Sequence, residues 1–304
     1  MKAIIVENIV KTYQKVLAVN NVSFEVEYGE IFGLIGPDGA GKTSIMRILT
    51  TLILPDSGAF QVDNFDGFKQ FKEIRKSIGY MPGRFSLYPD LTVRENINLF
   101  ASIFNTSIAE NYHLVKDIYS QLEPFENRPA GKLSGGMKQK LALSCALIHK
   151  PNILFLDEPT TGVDALSRVE FWDMLKKLKY DGMAILVSTP YMDEVSKCDR
   201  IGLMQNGNML KIESPKNIEE DFRRNLYAIK TEQTYLVLET LKSYKYTDTV
   251  FAFGESIHYT DKRIEDVSVS IFDYLYKNHL NIEIKQIRAN VEDCFMDLMR
   301  NSNE

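Results

Sequence analysis

The sequence has 304 residues, of which 44% are hydrophobic and 25% are charged, with a formal net charge of −5. This length allows one large or two ordinary domains, and the negative charge gives no reason to expect a nucleic-acid-binding protein. No apolar run approaches the roughly 20 residues of a membrane-spanning helix, and the N-terminus does not fit a signal peptide. If the protein works at a membrane, we expect another chain to span it.

The cysteines and histidines give no sign of a metal site or a disulfide framework. The cysteines lie far apart, form no C-x-x-C pair and are typical of reduced, buried residues in a protein of the cytosol. No histidine has a partner at the spacing of metal ligands. The histidines are His113, His149, His258 and His279.

The first predicted elements are two antiparallel strands, because residues 3–10 and 16–27 alternate apolar and polar side chains. Tyr13 lies between them, one hairpin before a glycine-rich segment. Its ring can stack on a nucleotide base, or it can be an ordinary half-buried tyrosine of a strand.

The segment Gly36–Thr43, here called the phosphate loop, follows an apolar run and precedes a helical pattern. Its glycines let backbone N–H groups converge on an anion, and the helix adds its positive end. Lys42 is placed to reach the β- and γ-phosphates of a nucleoside triphosphate, and Thr43 to bind Mg²⁺. The candidate nucleotide-binding residues are Tyr13, Gly36, Pro37, Asp38, Gly39, Ala40, Gly41, Lys42, Thr43 and Ser44.

The middle of the chain predicts a buried strand at residues 78–82 and helices at 92–104 and 111–122, with Thr92 and Glu95 as a capping box. Further along, residues 133–136 open another predicted helix.

A continuous apolar run at residues 153–156 predicts a parallel strand that ends in Asp157 and Glu158. Asp157 is placed to hold Mg²⁺ through water, and Glu158 to orient or deprotonate an attacking water. The alternative is a strand end with solvated acids.

A further buried strand is predicted at residues 183–187, and a helix is expected to start after it with Thr189 as its cap and Pro190 at its first position. Residues 201–213 predict a hairpin that turns at Asn206-Gly207. This alternation of strands and helices predicts an α/β domain with a mostly parallel sheet.

The composition changes after Asp221, and residues 222–304 contain one glycine, Gly254. The predicted order of strand, helix, hairpin, helix and strand is that of a small α+β ferredoxin-like domain, followed by a helix at 291–300. This region has no catalytic constellation, so we expect it to serve packing or association.

Four motifs occur in the order seen in ATP-binding-cassette (ABC) ATPases, which the chain resembles over roughly residues 3–215. They are the phosphate loop, the signature at residues 133–139, the Walker-B strand at 153–158 and the loop Thr161–Asp164. The Leu-Ser-Gly-Gly-x-x-Gln run is specific to this family among phosphate-loop proteins. The resemblance implies a P-loop NTPase fold over residues 1–221, with antiparallel N-terminal strands and a helical subdomain at about 84–150.

The resemblance also implies that two such domains sandwich two ATP molecules with Mg²⁺, each site joining one chain's phosphate loop to the other chain's signature. Tyr13 takes the place of the adenine-stacking aromatic residue, Thr43 and Asp157 bind the metal, and Glu158 is catalytic. The residues implied to act at the partner chain's site are Ser134, Gly135, Gly136, Met137 and Gln139, with Asp164 in a loop at the dimer interface.

Within the family, the chain is similar to ATP-binding subunits of ABC-2-type exporters of the multidrug kind at residues 79–88, 135–141, 188–194 and 287–295. This similarity implies ABC-2-type permease subunits as partners at the cytoplasmic face of the membrane. A second ATP-binding subunit, either another copy or a more complete homologue, completes the dimer. Alternatives are a nucleotide-binding regulatory subunit and a soluble ABC ATPase outside transport.

Two positions depart from the family pattern. Gly83 replaces the glutamine that reaches Mg²⁺ and the attacking water, and Pro190 replaces the histidine that contacts the γ-phosphate. Neither residue supplies the lost contact, so we expect ATP binding to persist and hydrolysis at this chain's own site to be slowed about 10²–10³-fold. The alternative is a homodimer that tolerates both changes.

A permease contact is expected in the helical part, around residues 84–91. Phe85, Leu87 and Tyr88 are candidates for an exposed apolar contact there, or else for the core of the subdomain.

Overall fold

The computed structural model describes residues 1–84, 86–278 and 280–301. The chain divides into two compact units, Met1–Pro215 and Lys216–Glu304, each with its own hydrophobic core. Phe85 and His279, considered above from the sequence, lie outside the described residues.

The first unit is an α/β structure with two sheets. Its strands are β1 (Lys2–Tyr13), β2 (Val16–Glu27), β3 (Ile31–Ile35), β4 (Ser57–Val62), β5 (Phe65–Asp66), β6 (Ile78–Met81), β7 (Ile153–Asp157), β8 (Ala184–Thr189), β9 (Arg200–Gln205) and β10 (Asn208–Glu213). Its helices are α1 (Lys42–Leu49), α2 (Phe71–Ser77), α3 (Val93–Ile103), α4 (Ile108–Tyr119), α5 (Gly135–Leu147) and α6 (Ala165–Tyr180). The next helix, α7 (Pro215–Glu220), begins at the last residue of this unit, and its other residues belong to the second unit.

The larger sheet has the strand order β10-β9-β3-β8-β7-β6, in which every pair except β9–β10 is parallel. Every residue of β3, β7 and β8 is buried, which explains their continuous apolar sequences. Because the three strands are parallel neighbours, their carboxyl ends lie at one edge of the sheet. This edge carries the phosphate loop after β3 and the acidic pair at the end of β7.

The smaller sheet is antiparallel with the order β2-β1-β4-β5, and it confirms the predicted N-terminal strands. The hairpin of β9 and β10 turns at Asn206-Gly207, where both residues have positive φ, as the sequence predicts.

The helical segment between β6 and β7 contains α3, α4 and α5. The predicted capping box of Thr92 and Glu95 is present at α3. A second capping box, between Ser107 and Glu110, begins α4 at Ile108, so this helix starts earlier than the predicted residue 111.

The prediction that a helix starts at Ser188-Thr189-Pro190 is wrong. Ser188 and Thr189 belong to β8, and a 3-10 helix follows only at Met192–Lys197. Thr189 does not cap it, because its hydroxyl donates to Glu194 at 2.6 Å and accepts from the backbone N–H of Tyr191 at 3.0 Å. These two bonds hold the Pro190 turn next to the strand end.

The second unit has the ferredoxin-like order that the sequence predicts. Its elements are β11 (Leu226–Lys230), α8 (Thr234–Lys242), β12 (Thr247–Phe253), β13 (Ser256–Asp261), α9 (Ser268–Lys277), β14 (Glu283–Ile287) and α10 (Val291–Asn301). The sheet order β12-β13-β11-β14 is antiparallel throughout. Tyr227, Tyr259 and Ile271 lie in its buried core.

Within the described part of the chain, no helix is long and apolar enough to cross a membrane. The same residues contain no group of three or more His, Cys, Asp or Glu placed to hold a metal ion by themselves.

Candidate functional site

The phosphate loop connects β3 to α1 in a conformation that requires glycine. A Cβ atom at Gly36 would lie 2.2 Å from the carbonyl oxygen of Met204. Gly41 has φ +104°, and its Cβ would lie 2.4 Å from the carbonyl oxygen of Ala18. Strands β2 and β9 therefore fix the loop from outside, and any larger residue at these two positions would displace it.

Lys42 is a buried cation at the centre of the loop, with 4% of its surface exposed. Its Nζ atom donates to the carbonyl oxygens of Gly36 at 2.7 Å and Pro37 at 3.0 Å, and it lies 3.8 Å from Oε1 of Glu158. Burial lowers the pKa of Lys42, while Glu158, Asp38 and Asp157 oppose this shift. A preformed cation beside a glycine-rich turn fits a phosphate group.

Asp157 ends β7 with 3% of its surface exposed. Its Oδ1 atom accepts hydrogen bonds from Thr43 Oγ1 at 3.2 Å and from Ser188 Oγ at 2.6 Å. The structure thus brings Thr43 and Asp157 together, as predicted for a pair that holds Mg²⁺. A hydroxyl and a carboxylate supply the oxygen ligands that this metal prefers.

Glu158 follows directly, in a left-handed backbone conformation with φ 51°. Residues other than glycine rarely adopt this conformation, and it often marks functional sites. The backbone N–H of Glu158 donates to Ser188, both to its carbonyl oxygen at 3.1 Å and to its Oγ at 3.0 Å. The carboxylate is partly exposed and lies beside the lysine of the phosphate loop.

The signature begins α5, with Ser134 as the N-cap that accepts from the N–H of Met137 at 3.3 Å. A Cβ at Gly135 would lie 2.9 Å from the carbonyl oxygen of Gly162, and one at Gly136 would lie 2.5 Å from Ser167 Oγ. The signature therefore packs against the loop that follows the acidic pair in the same chain.

Asp164 caps α6 in that loop. Its Oδ1 accepts from the N–H of Ser167 at 3.0 Å, and its Oδ2 accepts from Ser167 Oγ at 2.8 Å. The N–H bond and the hydroxyl bond both hold the pKa of Asp164 below its usual value.

Of the two positions that depart from the family pattern, Gly83 lies next to the acidic pair and Pro190 follows β8. A Cβ at Gly83 would lie 3.0 Å from the carbonyl oxygen of Asp157, so this glycine is next to the Walker-B strand. Pro190 is half-buried directly after β8.

Tyr13, the predicted base-stacking residue, ends β1. It is 39% exposed and has Lys11 Nζ at 5.8 Å from its ring centroid.

Two further groups near the site were missed in the sequence. Ser188 contacts both acids and lies at the end of a buried strand beside β7. The sequence feature that could have indicated it is its position directly after an apolar run predicted to form a buried strand. Glu194 is 2% exposed and is bound by Thr189 and by Arg168 Nε at 3.1 Å, which ties the Pro190 turn to α6.

The fold and this site define a phosphate-loop nucleotide-binding protein. The ABC transporter family pattern matches residues 19–161. A probable multidrug ABC transporter ATP-binding protein of Escherichia coli is 38% identical over 288 residues, covering 93% of this chain and 49% of that protein. The linearmycin resistance ATP-binding protein of Bacillus subtilis is 30% identical over 96% of each chain.

A solved dimeric ATP-binding cassette in a post-hydrolysis state, bound to ADP and Pi, is also similar. The two structures superpose with a TM-score of 0.63 at 28% sequence identity, and the match covers 69% of this chain and 98% of that one. The chain belongs to the ABC transporter ATP-binding family, which confirms the resemblance and the predicted fold class. It spans about half the length of the E. coli relative.

Proposed function

We propose that this chain is the ATP-binding subunit of an ABC-2-type exporter and energises separate permease subunits from the cytoplasmic face of the membrane. The observation that carries the proposal is the assembly of Lys42, Asp157 and Glu158 at one sheet edge in a chain that also carries the signature. Names of relatives that include multidrug transport and linearmycin resistance support the export of small molecules.

The residues at this edge fit ATP with Mg²⁺. Lys42 and the loop N–H groups bind the phosphates, Thr43 and Asp157 hold the metal, and Tyr13 stacks on adenine. When bound, Mg²⁺ neutralises charge that develops on the phosphate oxygens. Glu158 orients the attacking water and takes its proton.

Closure between two ATP-binding chains completes each site. The exposed Ser134 and Gly135 at the start of α5 meet the γ-phosphate held by the other chain's phosphate loop. Opening and closing of this dimer would move the permease between its two states. The second chain is another copy or a more complete homologue.

The permease contact that we propose is a groove of about 310 Å³ in the first unit. Its lining is mostly apolar and includes Leu52, Tyr80, Phe100, Phe104, Ala146 and His149. Tyr80 of the lining lies on β6, which pairs in parallel with β7, the strand that ends in Asp157. We therefore expect a permease segment bound in this groove to act on the strand next to Asp157.

The two alternatives left open for residues 84–91 apply to different residues. Leu87 is 5% exposed and belongs to the core, because the turn is fastened to α3 by a 3.0 Å hydrogen bond from the Tyr88 N–H to Asn96. Tyr88 is 55% exposed and stays available for contact.

The groove is tested by Leu52→Glu, with Leu54→Glu as a matched control. Both leucines are exposed, by 56% and 58%, but only Leu52 lines the groove. A charge at Leu52 should weaken binding to membranes that contain the ABC-2-type permease by about tenfold or more, since an apolar contact is replaced by a carboxylate that must be desolvated. Equal binding of the two variants would contradict the proposed contact.

We further propose that hydrolysis at this chain's own site is slow, because Gly83 and Pro190 lack the side chains that contact the attacking water and the γ-phosphate. Pro190→His should raise the ATP turnover of the purified chain about tenfold or more, since one transition-state contact is restored. Gly83→Gln should raise it less, because a Cβ there meets the Asp157 backbone.

An unchanged rate in Pro190→His would show that the proline does not limit turnover, and a rate typical of transporters in the unaltered chain would refute slow hydrolysis.

The absence of these two side chains also supports a second candidate function, that of a nucleotide-binding regulatory subunit. Where the second chain is another copy, transport that persists when Glu158 is replaced by Gln would favour that candidate, because a sensor does not require turnover at its own site.

A further inference from the structure

Ser188 connects the two acids of the ATP site through a single hydroxyl group. It lies at the end of β8, fully buried, and it is paired in register with Asp157 of the parallel strand β7. Its Oγ donates to Asp157 Oδ1 at 2.6 Å and accepts from the backbone N–H of Glu158 at 3.0 Å. A serine hydroxyl has one donor, and here that donor is committed to the metal-binding acid.

These bonds act on the two parts of the acidic pair that need to be fixed. Glu158 has a left-handed backbone, and such a conformation persists only when its surroundings over-determine it. The N–H of Glu158 is held by both the carbonyl oxygen and the hydroxyl of Ser188. The Asp157 carboxylate is fixed by Ser188 on the same oxygen that accepts from Thr43.

We propose that Ser188 is a positioning residue for ATP hydrolysis. Its hydroxyl holds the Asp157 carboxylate where it can bind Mg²⁺, and it holds the Glu158 backbone so that the Glu158 carboxylate can act on the attacking water. It does not touch the nucleotide itself. The alternative is a buried hydroxyl that only forms hydrogen bonds with neighbouring polar groups and has no role in hydrolysis. Ser144 is an example of such a hydroxyl. Ser144 is fully buried in α5, and its Oγ donates to the Lys140 carbonyl oxygen at 2.9 Å.

The test compares Ser188→Ala with the matched control Ser144→Ala. Affinity for the non-hydrolysable ATP analogue AMP-PNP is measured in EDTA and in Mg²⁺, together with kcat and the melting temperature. The inference rests on the proposed ATP site, but the AMP-PNP measurement needs neither turnover nor a permease. Wild-type binding of AMP-PNP therefore tests the proposed function separately.

Ser188→Ala should keep its affinity in EDTA and lose about 10–100-fold of the gain in affinity that Mg²⁺ provides, with a fall in kcat of similar size, as for other groups that orient metal ligands. Ser144→Ala should match the wild type in both. Ser188→Thr, which keeps the hydroxyl, should recover most of the loss.

Retention of the Mg²⁺-dependent gain and of kcat in Ser188→Ala would overturn the proposal. An equal loss of affinity in EDTA and in Mg²⁺ would also overturn it, because that result indicates general damage to the loop. A Ser188→Thr variant with the wild-type melting temperature and the alanine variant's defect would exclude the hydroxyl as the cause.

Discussion

Glu158→Gln should lower the ATP turnover of the purified chain by about 10²–10⁴-fold, because a positioned general base contributes this much. The affinity for AMP-PNP should change little, since the amide has the size of the carboxylate and the phosphate loop is intact. The Lys42 ammonium loses its neighbour at 3.8 Å but keeps its bonds to two carbonyl oxygens. Single-turnover hydrolysis and equilibrium binding measure the two effects separately.

Glu73→Gln is a suitable control, because Glu73 is an exposed acid of α2. It should leave turnover unchanged. Wild-type turnover in Glu158→Gln would mean that another group takes the proton, and the roles proposed for the acidic pair would then be wrong.

The motifs of the ATP site could be predicted because each is contained in a short stretch of sequence. The phosphate loop, the acidic pair and the signature depend on local spacing, and their flanking apolar runs indicate the right elements. The ferredoxin-like order of the second unit was likewise readable from the succession of elements.

The contacts of Ser188 could not be predicted in this way, because they depend on which strands are neighbours in the sheet. Residues 157 and 188 meet only since β8 lies between β3 and β7. The pattern after β8 was misinterpreted for a related reason. Thr189 donates its hydroxyl to Glu194, five residues further along the chain, and the burial of Glu194 that fixes this bond is not visible in local helix-start signals.

The burial of Leu87 illustrates the same limit. An apolar residue near a turn fits an exposed contact and a core position equally well, and its burial depends on its neighbours in space. The groove that we propose for the permease is formed by residues from separate stretches, from Leu52 to His149, so no single window of sequence displays it.

Gly136→Ala should reduce ATP turnover by about 10²–10³-fold, because it displaces the signature that supplies a transition-state contact. The new Cβ would lie 2.5 Å from Ser167 Oγ and 2.8 Å from Ser167 Cβ, so the start of α5 must move away from α6. Binding of AMP-PNP to the same chain should persist, since the phosphate loop is untouched. Turnover and AMP-PNP affinity of the purified variant give both results.

A second variant that removes the clashing atoms serves as the control for Gly136→Ala. Adding Ser167→Gly to Gly136→Ala removes both clashing atoms, while the backbone N–H at position 167 can still donate to Asp164 Oδ1. The double variant should regain much of the lost turnover. A double variant as inactive as Gly136→Ala would mean that the glycine is needed for contact with the nucleotide itself and not for packing on α6.

A mixture of Gly136→Ala and Glu158→Gln chains tests whether the site is shared between two copies. In a mixed dimer, the phosphate loop and Glu158 of the first chain face the intact signature of the second, while the other site has both defects. In an equimolar mixture with random pairing, half of the dimers are mixed and each mixed dimer carries one intact site of two, so turnover should recover to at most about a quarter of the wild-type value. A mixture no more active than its components would contradict a site shared between two copies, and would direct the search to a different ATP-binding partner chain.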